Sequence, residues 1–142
     1  KACNKIQGQV TSATCAIAQK AAERAMLADP RSTTQPMKDT FLKRRDMILA
    51  ELNNIDGIKC NVPQGAFYVF PDVSYYFGKS DGITTINNSD DFCMYLLNSA
   101  HVALVAGDSF GNPECVRISY AASDDKLMQA MDRIKKQLAQ LN

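Results

Sequence analysis

The stretch "PECVRISYA" at residues 113–121 decides how the second half of the chain folds, because it predicts a buried β-strand that carries a charge. Alternation along a strand places the large apolar side chains on one face, namely Val116, Ile118 and Tyr120. Arg117 lies in the middle of the other face, between Cys115 and Ser119. Its planar guanidinium keeps its charge and needs acceptors. The strand therefore predicts an anionic partner for Arg117, which is either an internal Asp or Glu or a bound carboxylate ligand.

The composition of the 142-residue chain is that of an ordinary globular domain, with 46% hydrophobic and 22% charged residues. The net charge of +1 argues against nucleic acid as a partner. No apolar run approaches the ~20 residues that span a bilayer, so no membrane partner is expected. The five cysteines form no CxxC pair, which predicts reduced, mostly buried thiols and a cytoplasmic protein without a disulfide framework.

The hydrophobic periodicity predicts the element order α, α, β, β, α, β, β, α. A Gly/Ser/Thr loop is expected at 8–15, and two prolines break the chain at 29–36. Helices are predicted at 13–28, 37–54, 90–100 and 124–141, and strands within 57–63, 65–71, 101–107 and 113–121. This order predicts an α/β fold, a two-layer sandwich in which helices cover a small mixed β-sheet.

Other chemically suggestive residues have simpler interpretations. His101 is the sole histidine, lies at a helix-to-strand junction and lacks a second metal ligand at a useful spacing, so a structural role is predicted and no metal site. Lys20 is predicted to be a surface residue. "GDSFG" (107–111) is predicted to be a turn in which both glycines take backbone angles closed to other residues. The basic run 42–46 is predicted to be a solvated helix face paired with nearby acids.

Four segments carry a family resemblance: "KACNKIQGQVTSATCAIAQKAA" (1–22), "NVPQGAFYVFPDVS" (61–74), "HVALVAGDSFG" (101–111) and "VRISYAAS" (116–123). In this order they resemble the C-terminal part of class I pyridoxal-phosphate-dependent aminotransferases, with the closest likeness to the bacterial aspartate aminotransferases. The resemblance implies that Arg117 is the substrate-binding residue that holds the α-carboxylate. It also implies amino-acid and 2-oxo-acid substrates, a small domain that shifts to close the site, and a homodimer for the full-length protein.

The same resemblance shows what this chain lacks. The cofactor lysine of the family precedes the segment matched here at Gln7, and Lys1 is not that lysine. Residues 1–142 are therefore expected to be a single C-terminal aminotransferase domain, with 1–12 as the remnant of the link to a missing cofactor-binding large domain. Pyridoxal phosphate is expected in the full-length parent and not on this fragment, which is predicted to be inactive alone, with no catalytic, cofactor-binding or metal-binding residue. A smaller departure is Ala106, where many relatives have proline.

Two alternatives remain at this point. One is a freestanding α/β module that binds a small carboxylate through Arg117 without catalysis. The other is a purely structural domain in which Arg117 pairs with an internal acid. Lys1 begins the chain without a helix start signal, which favours a piece of a longer protein over both.

Overall fold

The structure is a computed structural model that describes residues 1–11 and 13–142, in two compact units, Lys1–Lys38 and Asp39–Asn142. The first unit contains α1 (Ala2–Val10), α2 (Ala16–Leu27), α3 (Pro30–Thr33) and the start of α4 (Gln35–Asn53). None of the residues described in this unit is buried. The predicted helix at 13–28 is confirmed as α2. The predicted loop at 8–15 begins later, because α1 runs to Val10, and Ser12 within that loop lies outside the described residues.

The predicted break at 29–36 is itself largely helical. Asp29 is the N-cap of α3, and its carboxylate accepts a hydrogen bond of 2.9 Å from the backbone N–H of Arg31. Pro30 occupies the first helical position, where its missing N–H leaves no hydrogen bond unmade. Pro30 therefore separates α2 from α4 by starting a short helix, and Pro36 lies in the first turn of α4.

The second unit holds the rest of α4, three strands and two further helices among its elements. The strands are β1 (Tyr68–Val69), β2 (Val105–Ala106) and β3 (Val116–Ser119), and the helices are α5 (Ser89–Ala100) and α6 (Asp124–Leu138). Two single 3-10 turns lie at Ser74–Tyr76 and Gly107–Phe110. The predicted helices 37–54, 90–100 and 124–141 are confirmed, with shifts of a few residues at their ends.

The α/β fold is confirmed, although the described strands pair only antiparallel and do not form a mixed sheet. The strand order is β1-β3-β2, with β3 at the centre. The connection 107–115 joins β2 to β3, and it is shorter than the dozen or more residues that a parallel crossover needs, so the two strands pair antiparallel. The strand predicted within 57–63 is reduced to one bridge, from Lys59 to Asp72. Pro71 lacks an N–H but still accepts a hydrogen bond of 3.0 Å from Val116, so the β1–β3 ladder continues with gaps.

One face of the sheet carries the core of the second unit. Val69 and Val116 are almost completely buried, and Ile118 lies beside them on the same face. Each of the helices α4, α5 and α6 contributes an apolar stripe to this core, including Ile48 and Leu52, Phe92 and Leu96, and Leu127, Met131, Ile134 and Leu138. The alternation predicted for residues 113–121 is therefore confirmed on its apolar side.

Some local predictions are corrected. The helix predicted at 90–100 begins one residue earlier, at the buried Ser89, and its N-cap is Asn88, whose side-chain oxygen accepts from the N–H of Asp91 at 2.9 Å. All five cysteines are free thiols, but only Cys93 and Cys115 are buried, so the expectation of mostly buried thiols was wrong. Within residues 1–11 and 13–142, no helix combines the length and apolar character needed to cross a membrane.

Candidate functional site

Arg117 lies on the central strand of the sheet, on the face opposite the core. It is paired with Val105 of β2, and its neighbour Ser119 is paired with Tyr68 of β1. Directly paired residues share a face, so Val105, Tyr68 and Ser119 lie on the side of Arg117. That face is only partly covered, since Val105 and Ser119 are exposed and Arg117 is intermediate. β3 thus places the charged side chain of Arg117 on a sheet face that other residues cover only partly.

Aromatic rings surround the Arg117 guanidinium. Its central carbon lies 4.8 Å from the centroid of the Tyr68 ring and 4.5 Å from that of Phe110. Both distances are within the range of cation–π attraction. Phe110 in turn makes an edge-to-face contact with Phe70, with centroids 6.2 Å apart.

The guanidinium has no acidic partner among the described residues. None of the ion pairs or side-chain hydrogen bonds in that part of the chain includes Arg117. The sequence left open an internal acid or an external anion, and the described part of the chain supplies no internal acid. The guanidinium N–H groups of Arg117 are therefore available to an anion from outside these residues.

One acid on the same face is already engaged elsewhere. Asp72 pairs with Cys115 in the ladder, which places it on the Arg117 side of the sheet. Its carboxylate accepts hydrogen bonds from the hydroxyl and the N–H of Ser74, at 2.7 and 2.9 Å. These hydrogen bonds, more than the charge of Lys59, lower the pKa of Asp72. Burial raises the pKa of the Cys115 thiol, so Cys115 is a poor nucleophile.

The turn at 107–111 places Phe110 beside the guanidinium. Gly111 has φ +82°, the left-handed conformation predicted for it. Gly107 does not have a positive φ, so that part of the prediction was wrong. It must be glycine for lack of space, because a Cβ there would overlap the carbonyl oxygens of Asn112 and Cys115.

The remaining candidates make contacts with other residues of the chain. His101 ends α5 in a left-handed conformation, and the N–H of the next residue, Val102, donates to the carbonyl of Leu96 at 3.2 Å. Lys20 is paired with Glu23 at 2.7 Å and its side chain is 81% exposed. Lys43 and Arg44 both pair with Asp124 at 2.8 Å. The described residues contain no cluster of His, Cys, Asp or Glu suited to a metal ion.

The sequence reasoning missed the aromatic residues of the site. Tyr68 lies within the strand predicted at 65–71, but alternation alone gives neither its partner strand nor its register with Ser119. Phe110 lies in an irregular turn, and no periodic pattern connects it to Arg117. The one available signal was a large apolar side chain between two glycines, in a turn where polar residues are usual.

The chain resembles known aminotransferases along almost its whole length. The family model described as class I and II aminotransferases matches residues 1–134. A bifunctional aspartate aminotransferase and glutamate/aspartate-prephenate aminotransferase from Petunia hybrida is 48% identical over 140 residues, which cover 96% of this chain and 29% of the relative. An aspartate aminotransferase from Rhizobium meliloti strain 1021 is 42% identical over 135 residues, covering 94% of this chain and 33% of the relative.

The fold agrees with the sequence comparison. The crystal structure of an aspartate aminotransferase from Rhizobium meliloti superposes with a TM-score of 0.85 at 40% identity, over 96% of this chain and 34% of that chain. The chain thus spans only about a third of the length of the relatives it matches.

Proposed function

Because the chain belongs to the family of class I and II aminotransferases, we propose that it forms the C-terminal part of an enzyme that transfers an amino group from an amino acid to a 2-oxo acid. In this proposal Arg117 binds the α-carboxylate of the substrate. The observation that carries it is the Arg117 guanidinium on a half-open sheet face, with no ion pair among residues 1–11 and 13–142. Two parallel N–H···O bonds from its fork fix both the position and the orientation of a carboxylate.

The rest of the parent protein would supply the reaction centre. Pyridoxal phosphate would supply an aldehyde carbon that takes up the amino group and a ring that acts as an electron sink, and its attachment would require a lysine whose amine is activated by its surroundings. Lys20, the lysine weighed for this role, is solvent-exposed and ion-paired with Glu23, and does not fit. We therefore place the cofactor on a large domain outside this chain, to which 1–12 would be the link. This chain would add the carboxylate clamp and the movement that closes the site, within a homodimer.

The test is substitution of Arg117 in the full-length enzyme. Arg117→Ala removes a charge-assisted pair in a partly dry site, worth roughly 2–5 kcal/mol. Catalytic efficiency with L-aspartate and 2-oxoglutarate should fall about a hundredfold to a thousandfold or more, since each ~1.4 kcal/mol is tenfold. Arg117→Lys should recover little of the loss, because lysine supplies charge without the fork.

Arg133 provides a matched control, as an exposed arginine on α6. Arg133→Ala should leave catalytic efficiency within about twofold of the parent. An Arg117→Ala enzyme with undiminished efficiency would refute the clamp. If instead the isolated chain binds succinate tightly and only with Arg117 present, the freestanding carboxylate-binding module becomes the better description.

A further inference from the structure

Phe110 occupies a position that the core does not explain. Its side chain is 47% exposed and does not belong to the apolar cluster of the second unit. A large aromatic ring on a turn exposes apolar surface to water, which carries a cost unless the ring has another contact. Its described ring contacts are the guanidinium of Arg117 at 4.5 Å and the edge-to-face contact with Phe70. The Phe110 ring therefore contacts the Arg117 guanidinium instead of packing in the core.

The turn holds this ring in a fixed place. The N–H of Gly107 donates to the carbonyl of Cys115 at 2.8 Å, and the N–H of Asn112 donates to the carbonyl of Gly107 at 3.1 Å. The N–H of Gly111 also donates to Asp108 at 3.0 Å. The first of these bonds ties the turn to Cys115, which immediately precedes β3 and lies two residues before Arg117, and the other two close the turn on itself. Phe110 and Arg117 consequently belong to one small hydrogen-bonded unit.

The face of the guanidinium and its N–H donors can contact different partners. An aromatic ring attracts a cation that lies over its face, while the N–H donors of arginine point outward in the plane of the guanidinium. Contact between its central carbon and the two rings therefore restrains the guanidinium. Tyr68, at 4.8 Å on β1, adds a second ring. A long side chain that would otherwise lose several rotatable degrees of freedom on binding is already restrained.

We propose that Phe110, supported by Tyr68, is a positioning residue that pre-orients the Arg117 guanidinium for the substrate carboxylate. This inference rests on the proposed function of Arg117 and adds a source of affinity outside the carboxylate contact itself. The ring acts equally before and during the reaction, so it should strengthen substrate binding and leave the chemical step unchanged.

The experiment uses the full-length enzyme with L-aspartate and 2-oxoglutarate, and with succinate as a dicarboxylate that has no amino group to transfer. Phe110→Leu should raise both KM values and the succinate inhibition constant roughly threefold to thirtyfold, the range of one cation–π contact. The kcat should stay within about twofold of the parent. Phe110→Tyr keeps a ring and should restore the KM values. A role in folding alone would lower the amount of active enzyme and the melting temperature, and would leave KM unchanged.

Val105 provides the control on the same face. It is paired directly with Arg117, is apolar and exposed, and has no ring. Val105→Ala should change KM by less than about twofold. Equal KM effects from Val105→Ala and Phe110→Leu would overturn the proposal, as would an unchanged KM in Phe110→Leu. If Phe110→Leu does not fold, Phe110→Met fills similar space without a ring and is held to the same expectations.

Arg117→Ala separates this inference from the function on which it rests. An increase in KM with Arg117→Ala but not with Phe110→Leu refutes the positioning role and leaves the clamp intact. An unchanged KM in both variants refutes the clamp, and the positioning role with it.

Discussion

At the scale of single residues, Asp124 makes the clearest electrostatic contact of the second unit. Its carboxylate accepts from Lys43 Nζ and from Arg44 Nε, each at 2.8 Å, and so connects the start of α6 to α4. These hydrogen bonds lower the pKa of Asp124 to about 2. The folded protein therefore holds this carboxylate ionised at pH values where the unfolded chain would protonate it.

The sign of the resulting pH dependence follows from that difference. A lowered pKa in the folded state stabilises the protein above the unfolded pKa, near 3.8, and the stabilisation is lost as pH falls toward about 2. In urea unfolding at pH 6, Asp124→Asn should lower the transition midpoint relative to the parent chain. The gap between the two midpoints should shrink as pH falls from about 4 to about 2.

Asp125 is a close control for this measurement. It lies next to Asp124 in the first turn of α6, and none of the ion pairs found in residues 1–11 and 13–142 includes it. Asp125→Asn removes the same charge from the same helix end, so effects of the helix dipole are matched. A gap between midpoints that stays constant from pH 6 to pH 2 for Asp124→Asn would contradict the assigned pKa.

Residue-level reasoning predicted the strand position of Arg117 and the side to which it points. It did not predict the surroundings of the guanidinium. Strand alternation fixes direction because its period is two, whereas the contact with Phe110 depends on the path of an irregular turn. The surface prediction for Lys20 is confirmed by its pairing with Glu23 one turn away. In residues 42–46 the predicted acidic partners are present, but the side chains of Arg44 and Arg45 are each only 22% exposed, so this helix face is not fully solvated.

At the scale of elements, the turn Gly107–Phe110 has no space for a Cβ at its first residue, where the atoms in the way belong to the backbone. Gly107→Ala would place a Cβ against two backbone carbonyl oxygens, which cannot rotate away. Gly111→Ala meets no atom within 4 Å and has only the left-handed backbone angle to overcome, at a cost of roughly 1–2 kcal/mol.

Thermal unfolding of the two variants should therefore rank them. Gly107→Ala is expected to lower the melting temperature more than Gly111→Ala, because the backbone itself must shift. Gly8→Ala is the control, since it lies in α1 and meets no atom within 4 Å. The reverse ranking of Gly107 and Gly111 would show that backbone angle and not space limits this turn.

The elements were predictable to different degrees for physical reasons. The helices were found because their apolar stripes repeat over several turns, as in α6 with Leu127, Met131, Ile134 and Leu138. The strands are only two to four residues long, which gives alternation little room to show. The strand around Lys59 became a single bridge, because its pairing partner includes Pro71, which cannot donate. Antiparallel pairing could not be read from strand positions alone.

At the scale of the whole molecule, burial differs sharply between the two units. The buried core residues lie between Ile48 and Leu141, all in the second unit. The described residues of the first unit include exposed apolar side chains such as Ile17, Met26 and Leu27. Apolar helix surfaces of this kind lower their free energy when another protein surface covers them.

A shortened chain, 35–142, tests this division. Its free energy of unfolding should differ from that of the complete chain by less than about 1 kcal/mol, because it keeps α4 and every buried core residue. Sedimentation should show concentration-dependent oligomers for the complete chain and fewer for the shortened one. A shortened chain that loses cooperative unfolding would show that 1–34 contributes to the core.

The brevity of the outer strands also affects how copies of the chain can meet. An exposed sheet margin recruits further strands when it offers a long row of unpaired backbone groups, and this is a common start of fibril growth. In the described sheet both margins are two-residue strands, and the run after β1 contains Pro71. An added strand would therefore find few unpaired backbone groups along either margin of the sheet. Contacts between copies of the chain would then be made by helix side chains, which favours reversible association over fibres.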